Sequence, residues 1–348
     1  MSYIDTINAA KIKDDAIILS IESSCDETAA AILKGGREIL SSVIMSSATE
    51  HVKFGGVVPE IASRAHTAAI SLTVEKAISD AGITLKDIDA VAVTYGAGLL
   101  GALLVGVSYA KALAFSLNVP LIPVSHIRGH LAAAYLADKT LEPPFISVLA
   151  SGGHTAVIAV KNYYEFEVLG QTLDDAVGES LDKIARTLGL PYPGGPNIER
   201  LAKEGEANIA FPKMLKGKHS LDFSYSGLKT FAINYIHNNE QKGAEFSKAN
   251  VAASFQAAAI GILADNAVKA AEKFGYSVIT AGGGVVANGY LRESLTEKAA
   301  KKGIKVILPE KKYCTDNAAM IGAEGYLQYK KRNFADLTLN AKASVPLG

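Results

Sequence analysis

At 348 residues the chain is long enough for two domains with real apolar cores, or for one large one. Its 35 Lys plus Arg balance 35 Asp plus Glu, so no global field draws in nucleic acid or an anionic membrane. Cys25 and Cys314 are too few for a disulfide scaffold and point to a reducing compartment.

No signal peptide is expected, since the start lacks the charged-then-apolar profile and the run at 16–21 is too short for an h-region. Apolar runs at 16–21 and 28–33 flank the stretch from Glu22 to Glu27 and read as a hairpin with a polar, acidic tip. A third strand is expected at 43–47. A helix is expected over 59–81, because Pro59 suits a first helical position and Gly82 the position past an end. Strand 90–94 runs into the glycine-dense stretch 96–117, where only Lys111 is charged. Without a basic flank, that stretch reads as a buried helix between layers and not as a membrane span.

Strand 121–124 then delivers Ser125-His126-Ile127-Arg128-Gly129-His130 at its C-terminal end, where open α/β sheets place their chemistry. Two imidazoles four residues apart share one helix face, with Cβ atoms about 6 Å apart, so both can reach one metal ion. The alternative is a pair of ordinary, partly buried polar residues. A zinc protease needs Glu directly after the first His, and Ile127 stands there. A third ligand has to come from elsewhere in the chain.

Apolar runs at 145–150 and 155–160, joined by Ser151-Gly152-Gly153-His154, repeat the first hairpin. Helices are expected at 175–188, 197–204, 226–238 and 248–274. A strand at 278–281 runs into Gly282-Gly283-Gly284, followed by a helix at 288–301, a strand at 306–308 and a closing helix at 316–330. The fold class is α/β, a duplicated pair of lobes with a central cleft. The N-terminal lobe is 15–142, with the closing helix packed back on it. The C-terminal lobe is 143–315, with the crossing at Pro143-Pro144. Glycine turns at strand ends let peptide N–H groups meet phosphate, or end strands for steric reasons alone.

Seven motifs stand in order: Ile21-Glu22-Ser23-Ser24-Cys25-Asp26-Glu27-Thr28, Gly55-Gly56-Val57-Val58-Pro59-Glu60, Gly101-Ala102-Leu103-Leu104-Val105-Gly106, His126 with His130, Ser151-Gly152-Gly153-His154-Thr155, Gly282-Gly283-Gly284-Val285 and Thr315-Asp316-Asn317. With them the chain resembles the bacterial-type tRNA N6-adenosine threonylcarbamoyltransferase family, over residues 18–325. That family has the actin, heat-shock-70 and sugar-kinase fold. The resemblance implies transfer of a threonylcarbamoyl group from threonylcarbamoyl-AMP to N6 of the adenosine next to the anticodon, in tRNAs that read ANN codons, with release of AMP. It implies one divalent metal ion, iron or zinc, on His126, His130 and Asp316, which makes Asp316 the missing third ligand.

By the same resemblance Leu149, Ala150, Ser151, Gly152 and Gly153 contact the substrate's phosphate or carbonyl groups. Asp182, Gly195, Glu199 and Asn288 hold the adenosine part of the adenine nucleotide. Glu22 and Asp26 stand where sugar-kinase relatives place a carboxylate that orients metal or water, which makes them the catalytic candidates; no general base is identified. Expected partners are tRNA, a smaller paralogue in a heterodimer, a P-loop ATPase and the synthase that supplies threonylcarbamoyl-AMP, all cytoplasmic and with no membrane. Local clusters at Lys213, Lys216 and Lys218, or at Lys330, Lys331 and Arg332, are expected to meet tRNA. Two departures stand out. Arg128 replaces the usual acidic residue between the histidines, and Ala97 replaces a usual proline. The rival readings are a small-molecule kinase of the same superfamily and a nucleotide-gated binding module. For Asp316 the rival to ligation is capping of the closing helix. His51, His66 and His154 are expected to serve as hydrogen-bonding residues, and the two cysteines as small buried thiols.

Overall fold

In the computed structural model, which describes residues 3–215 and 220–347, the first hairpin joins β1 (Ile17–Glu22) to β2 (Glu27–Lys34). The two pair antiparallel from Ile17–Lys34 to Glu22–Ala29. Both are buried almost throughout, as in a sheet covered on both faces, which is why they read as apolar runs and not as an alternation. β3 (Glu38–Ser46) adds antiparallel to β2, while β4 (Ala90–Gly96) and β5 (Leu121–Ser125) extend the other side in parallel, giving β3-β2-β1-β4-β5.

One face of this sheet packs against α3 (Pro59–Asp80) and α4 (Leu100–Leu117), and the other against α12 (Ala318–Lys330). Pro59 opens α3, where its missing N–H would have had no partner anyway. Short helices α1 (Tyr3–Ala9), α2 (Ala48–His51) and α6 (Ala134–Ala137) complete the unit together with α5 (His126–Ala132). The expectation of a buried helix between layers holds for one face of α4 and is corrected for the other. Leu100, Leu104 and Phe115 are 50%, 40% and 59% exposed, and only the face holding Leu103, Gly106, Val107 and Ala110 is covered.

The second sheet has β6 (Phe145–Ala150), β7 (Thr155–Val160), β8 (Phe166–Gln171), β9 (Val278–Gly282) and β10 (Lys305–Ile307) in the order β10-β9-β6-β7-β8. Its senses repeat the first sheet strand for strand: an antiparallel trio led by a hairpin, then two parallel strands. Its core is built with α7 (Val177–Thr187), α8 (Gly194–Ala202), α9 (Ser226–Lys242), α10 (Lys248–Phe274) and α11 (Gly289–Ala300). α10 is long and apolar enough to cross a membrane, as is α4, but most of its apolar stretch lies inside the protein core. The chain divides into two compact units: residues up to Leu141 together with Asp316–Leu347, and Glu142–Thr315.

Candidate active site

β5 ends at Ser125 and α5 begins at His126, so the strand passes into the helix without a loop and fixes where its first turn points. The His126 and His130 rings lie 4.5 Å apart, centroid to centroid, and nearly perpendicular at 79°. Asp316 sits just ahead of α12, with Oδ1 3.5 Å from His126 Nε2 and 3.3 Å from His130 Nε2. One donor atom from each residue falls within 4.8 Å of the other two. Ligands held at about 2.0–2.1 Å around a tetrahedral ion stand about 3.3–3.4 Å apart, so the two spacings from Asp316 fit a shared ion.

His130 adds a second sign. It is 1% exposed and neither ring nitrogen has a hydrogen-bond partner, which is expensive for a buried imidazole unless a ligand completes it. Two nitrogen donors and one carboxylate suit zinc or iron alike. The carboxylate is not explained by helix capping. Asn317 is the N-cap of α12, its side-chain oxygen accepting from Met320 N at 2.9 Å.

Glu22, at the end of β1, is fully buried. Its Oε2 lies 3.1 Å from His126 Nδ1 and accepts the Thr94 hydroxyl at 2.6 Å, while Oε1 accepts Ser24 N at 2.5 Å. With the ring proton on Nδ1 facing Glu22, His126 presents the Nε2 lone pair on the Asp316 side, as a metal ligand must. Burial alone would lower the His126 pKa, but the Asp316 and Glu22 carboxylates outweigh it and push it up to about 9 in the metal-free protein. Burial and the neighbouring His126 lower His130. Asp26 is buried on the hairpin tip, its carbonyl accepting from Ser47 N and Ser47 Oγ at 2.9 Å each. Burial, with Asp26 and Asp316 nearby, pushes Glu27 up to about 9.

The second unit gathers the remaining candidates. Leu149 and Ala150 are core residues of β6, so their side chains face protein. Ser151 ties off the turn, its N–H donating to His154 O at 2.8 Å and its Oγ accepting from His154 N at 3.1 Å. Gly152 and Gly153 are exposed, and no atom lies within 4 Å of where a Cβ would stand. The turn is braced from behind. A Cβ on Gly178 would meet Ser151 O at 2.6 Å, and one on Gly283, at φ +102°, would meet Ala150 O at 2.4 Å.

Asp182 Oδ1 accepts Gly194 N at 2.7 Å at the start of α8. Burial raises its pKa, and the Gly194 and Gly195 N–H groups oppose the rise. Glu199 Oε1 accepts Gly289 N at 3.0 Å at the start of α11. Asn288 caps α11 through Leu291 N and donates to Gln256 Oε1 at 2.9 Å. Asp182 thus stands at the N-terminus of α8, and Glu199, Asn288 and Gln256 gather at the N-terminus of α11. The steric demand for glycine falls on Gly194, where a Cβ would sit 2.5 Å from Asp182 Cα, and not on Gly195, where it would meet only Leu181 Cδ1 at 4.0 Å.

Other expectations resolve locally. His66 bridges Thr28 Oγ1 and Cys25 O, and His51 bridges Ser47 Oγ and Val58 N, as hydrogen-bonding residues. Cys314 is buried, whereas Cys25 is half-buried. Of the two basic clusters, Lys216 and Lys218 lie outside the described residues. Lys330 pairs with Asp14, and Arg332 donates to the carbonyls of Ala10 and Asn8, so these two charges fasten the N-terminal segment. Sequence reasoning missed Glu22 as the partner of His126, Asn317 as the true cap and Gln256 beside Asn288. A carboxylate in the first motif was visible, but nothing local ties it to a histidine so far along the chain.

Fold and cluster together define a class: an actin-like ATPase fold in two repeats, with two histidines and a carboxylate poised as a metal centre. Solved structures with this fold include HypF of T. kodakarensis, with a TM-score of 0.63, 15% identity and coverage of 93% of this chain and 49% of that one. Component A of the (R)-2-hydroxyglutaryl-CoA dehydratase of Acidaminococcus fermentans gives 0.53, 17%, 91% and 99%. At such identities the likeness speaks of fold alone. The sequence profile described as tRNA N6-adenosine threonylcarbamoyltransferase matches residues 38–323. Proteins of that name from Clostridium perfringens and Clostridium botulinum are 53% identical over 336 residues and 51% identical over 338, covering 96% and 97% of this chain and 99% of each relative. The chain belongs to the tRNA N6-adenosine threonylcarbamoyltransferase family, acyltransferases of t6A synthesis. The small-molecule kinase and the nucleotide-gated module are not favoured.

Proposed function

We propose that the chain transfers the threonylcarbamoyl group of threonylcarbamoyl-AMP to N6 of the adenosine next to the anticodon, in tRNAs that read ANN codons, with one divalent ion on His126, His130 and Asp316. The observation that carries the metal reading is the buried His130, without hydrogen bonds and 3.3 Å from Asp316, in a chain of this family. The N6 amine attacks the carbamoyl carbon, the bond from that carbon to the phosphate oxygen breaks, AMP leaves with the electron pair and the amine gives up a proton. A mixed anhydride is already activated, so positioning dominates and no protein nucleophile is required. When bound, zinc or iron supplies Lewis-acid polarisation of a substrate oxygen.

The rest falls to the chain's own side chains. Glu22 holds the Nδ1 proton of His126, so that Nε2 is the nitrogen turned toward a ligand, and the Asp26 backbone carbonyl ties the hairpin tip to Ser47. Ser151 and the peptide N–H groups of Gly152 and Gly153 offer donors to the phosphate or carbonyl oxygens, with Leu149 and Ala150 anchoring the turn in the core. Asp182, Gly195, Glu199 and Asn288 surround the adenosine. The family resemblance adds a smaller paralogue, a P-loop ATPase and the threonylcarbamoyl-AMP synthase acting beside the chain in the cytoplasm, and a chain with no net charge takes up tRNA through local contacts or with such help. The test is mass spectrometry of nucleosides from tRNA incubated with this chain, those partners, threonine, bicarbonate and ATP. The threonylcarbamoylated adenosine is expected, and its absence from the complete mixture refutes the proposal.

A further inference from the structure

Arg128 lies between the two histidines on α5, where an uncompensated positive charge opposes any cation held by them. We propose that its ion pair with Glu324 positions the metal centre, locking α5, which carries both histidines, in one register against α12, which Asp316 leads into. The inference rests on the metal-centre reading above.

Arg128 Nε stands 2.8 Å from Glu324 Oε1, and the Glu324 side chain is 2% exposed. The carboxylate is held from its own helix as well. Gln328 Nε2 donates to Glu324 Oε1 at 2.6 Å, and Asn333 Nδ2 donates to Gln328 Oε1 at 2.9 Å. The two helices touch at Gly129, the residue between Arg128 and His130. A Cβ there would come within 2.7 Å of Ile321 Cδ1, and Ile321 lies between Asp316 and Glu324 in the sequence.

A contact made through glycine and aliphatic side chains is non-directional and tolerates sliding. A contact between two opposite charges in a buried setting favours the register that brings them together over one that leaves either buried alone. The spacings of 3.3 and 3.5 Å from Asp316 to the two imidazoles leave little room for such a slide. The pair also cancels the Arg128 charge beside the centre. Burial pushes the Glu324 carboxyl up to about 7, against the pull of Arg128 and Gln328, so the pair is ionised above that pH. Buried ion pairs add little net stability over apolar replacements, so what this pair contributes is geometry.

The test is zinc affinity of the full chain at pH 8, by competition with a chromophoric chelator, with melting followed by circular dichroism. Glu324→Gln is expected to bind zinc about tenfold more weakly or worse, in the range seen when outer partners of metal ligands are lost. The double variant Arg128→Met, Glu324→Leu removes both charges and is expected to melt at or above the wild-type temperature. It is nevertheless expected to bind zinc about fivefold more weakly or worse, a loss that a purely structural role does not produce. Wild-type zinc affinity in the double variant overturns the proposal, whether or not Glu324→Gln folds. Failure of the underlying reading looks different: His126→Ala would then bind zinc as tightly as the wild type.

Discussion

Asp316→Asn separates ligation from capping of α12. The amide keeps the carboxylate's shape and removes its charge, which stands 3.3 and 3.5 Å from the two imidazole nitrogens. A divalent ion shared by the three groups would lie nearer to the carboxylate than the imidazoles do, so the unit-charge interaction at about 3.4 Å, roughly 5 kcal/mol at an effective dielectric of about 20, is a lower bound on what the carboxylate contributes. If half survives relaxation, the loss is about 2.5 kcal/mol, or roughly 70-fold in metal affinity. The helix itself is expected to stay intact, because its cap is Asn317. Asn317→Ala is the variant that destabilises, by about 1 kcal/mol, lowering the melting temperature by about 2–4 °C. Elemental analysis and a zinc titration read the first effect, and thermal melting of the metal-free proteins reads the second. Stoichiometric zinc bound at wild-type affinity in Asp316→Asn would refute the three-ligand centre.

Glu22→Gln sets an NH2 against a donor at either end, Ser24 N or the Thr94 hydroxyl with His126 Nδ1, and is expected to weaken zinc about 10- to 100-fold. An unchanged titration would mean that Glu22 does not orient His126. Asn288→Ala removes the α11 cap and the Gln256 contact, and is expected to weaken adenylate binding about tenfold by calorimetry. Unaltered affinity takes Asn288 out of the nucleotide site. Burial pushes Asp174 up, but the Ser224 and Ser226 hydroxyls and the Tyr225 amide outweigh it and hold its pKa below the ordinary carboxylate value. Stability from such a group is fully present above its unfolded pKa of about 3.9 and is lost as pH falls through the lower folded value. The denaturant midpoint of the wild type should therefore fall more steeply below about pH 4 than that of Asp174→Asn, and parallel curves contradict the assignment.

The fold was legible where burial writes itself as an uninterrupted apolar run. β1, β2, β6 and β7 are buried along nearly their whole length, and α10 carries a Ser247 cap and a Gly275 stop that mark its ends in the sequence. β8 escaped because it is an edge strand with a single buried residue, leaving no apolar run to read. α4 misled because composition cannot say which face of an apolar helix is covered. At the site, i,i+4 spacing brings His126 and His130 together on local geometry alone. Asp316, Glu22 and Glu324 meet them only because α12 packs against the sheet whose central strand is β1, an arrangement no local pattern encodes. The Arg128 departure likewise makes physical sense only beside Glu324.

The most direct test of the account is single-turnover transfer from purified threonylcarbamoyl-AMP to tRNA, with the modified nucleoside quantified by mass spectrometry. The metal-loaded wild-type chain, with its partners, is compared with His126→Ala under the same conditions. The account predicts threonylcarbamoylated adenosine and an equal amount of AMP from the wild type, and transfer at least about 100-fold slower from the folded variant. Transfer by His126→Ala at the wild-type rate would contradict it.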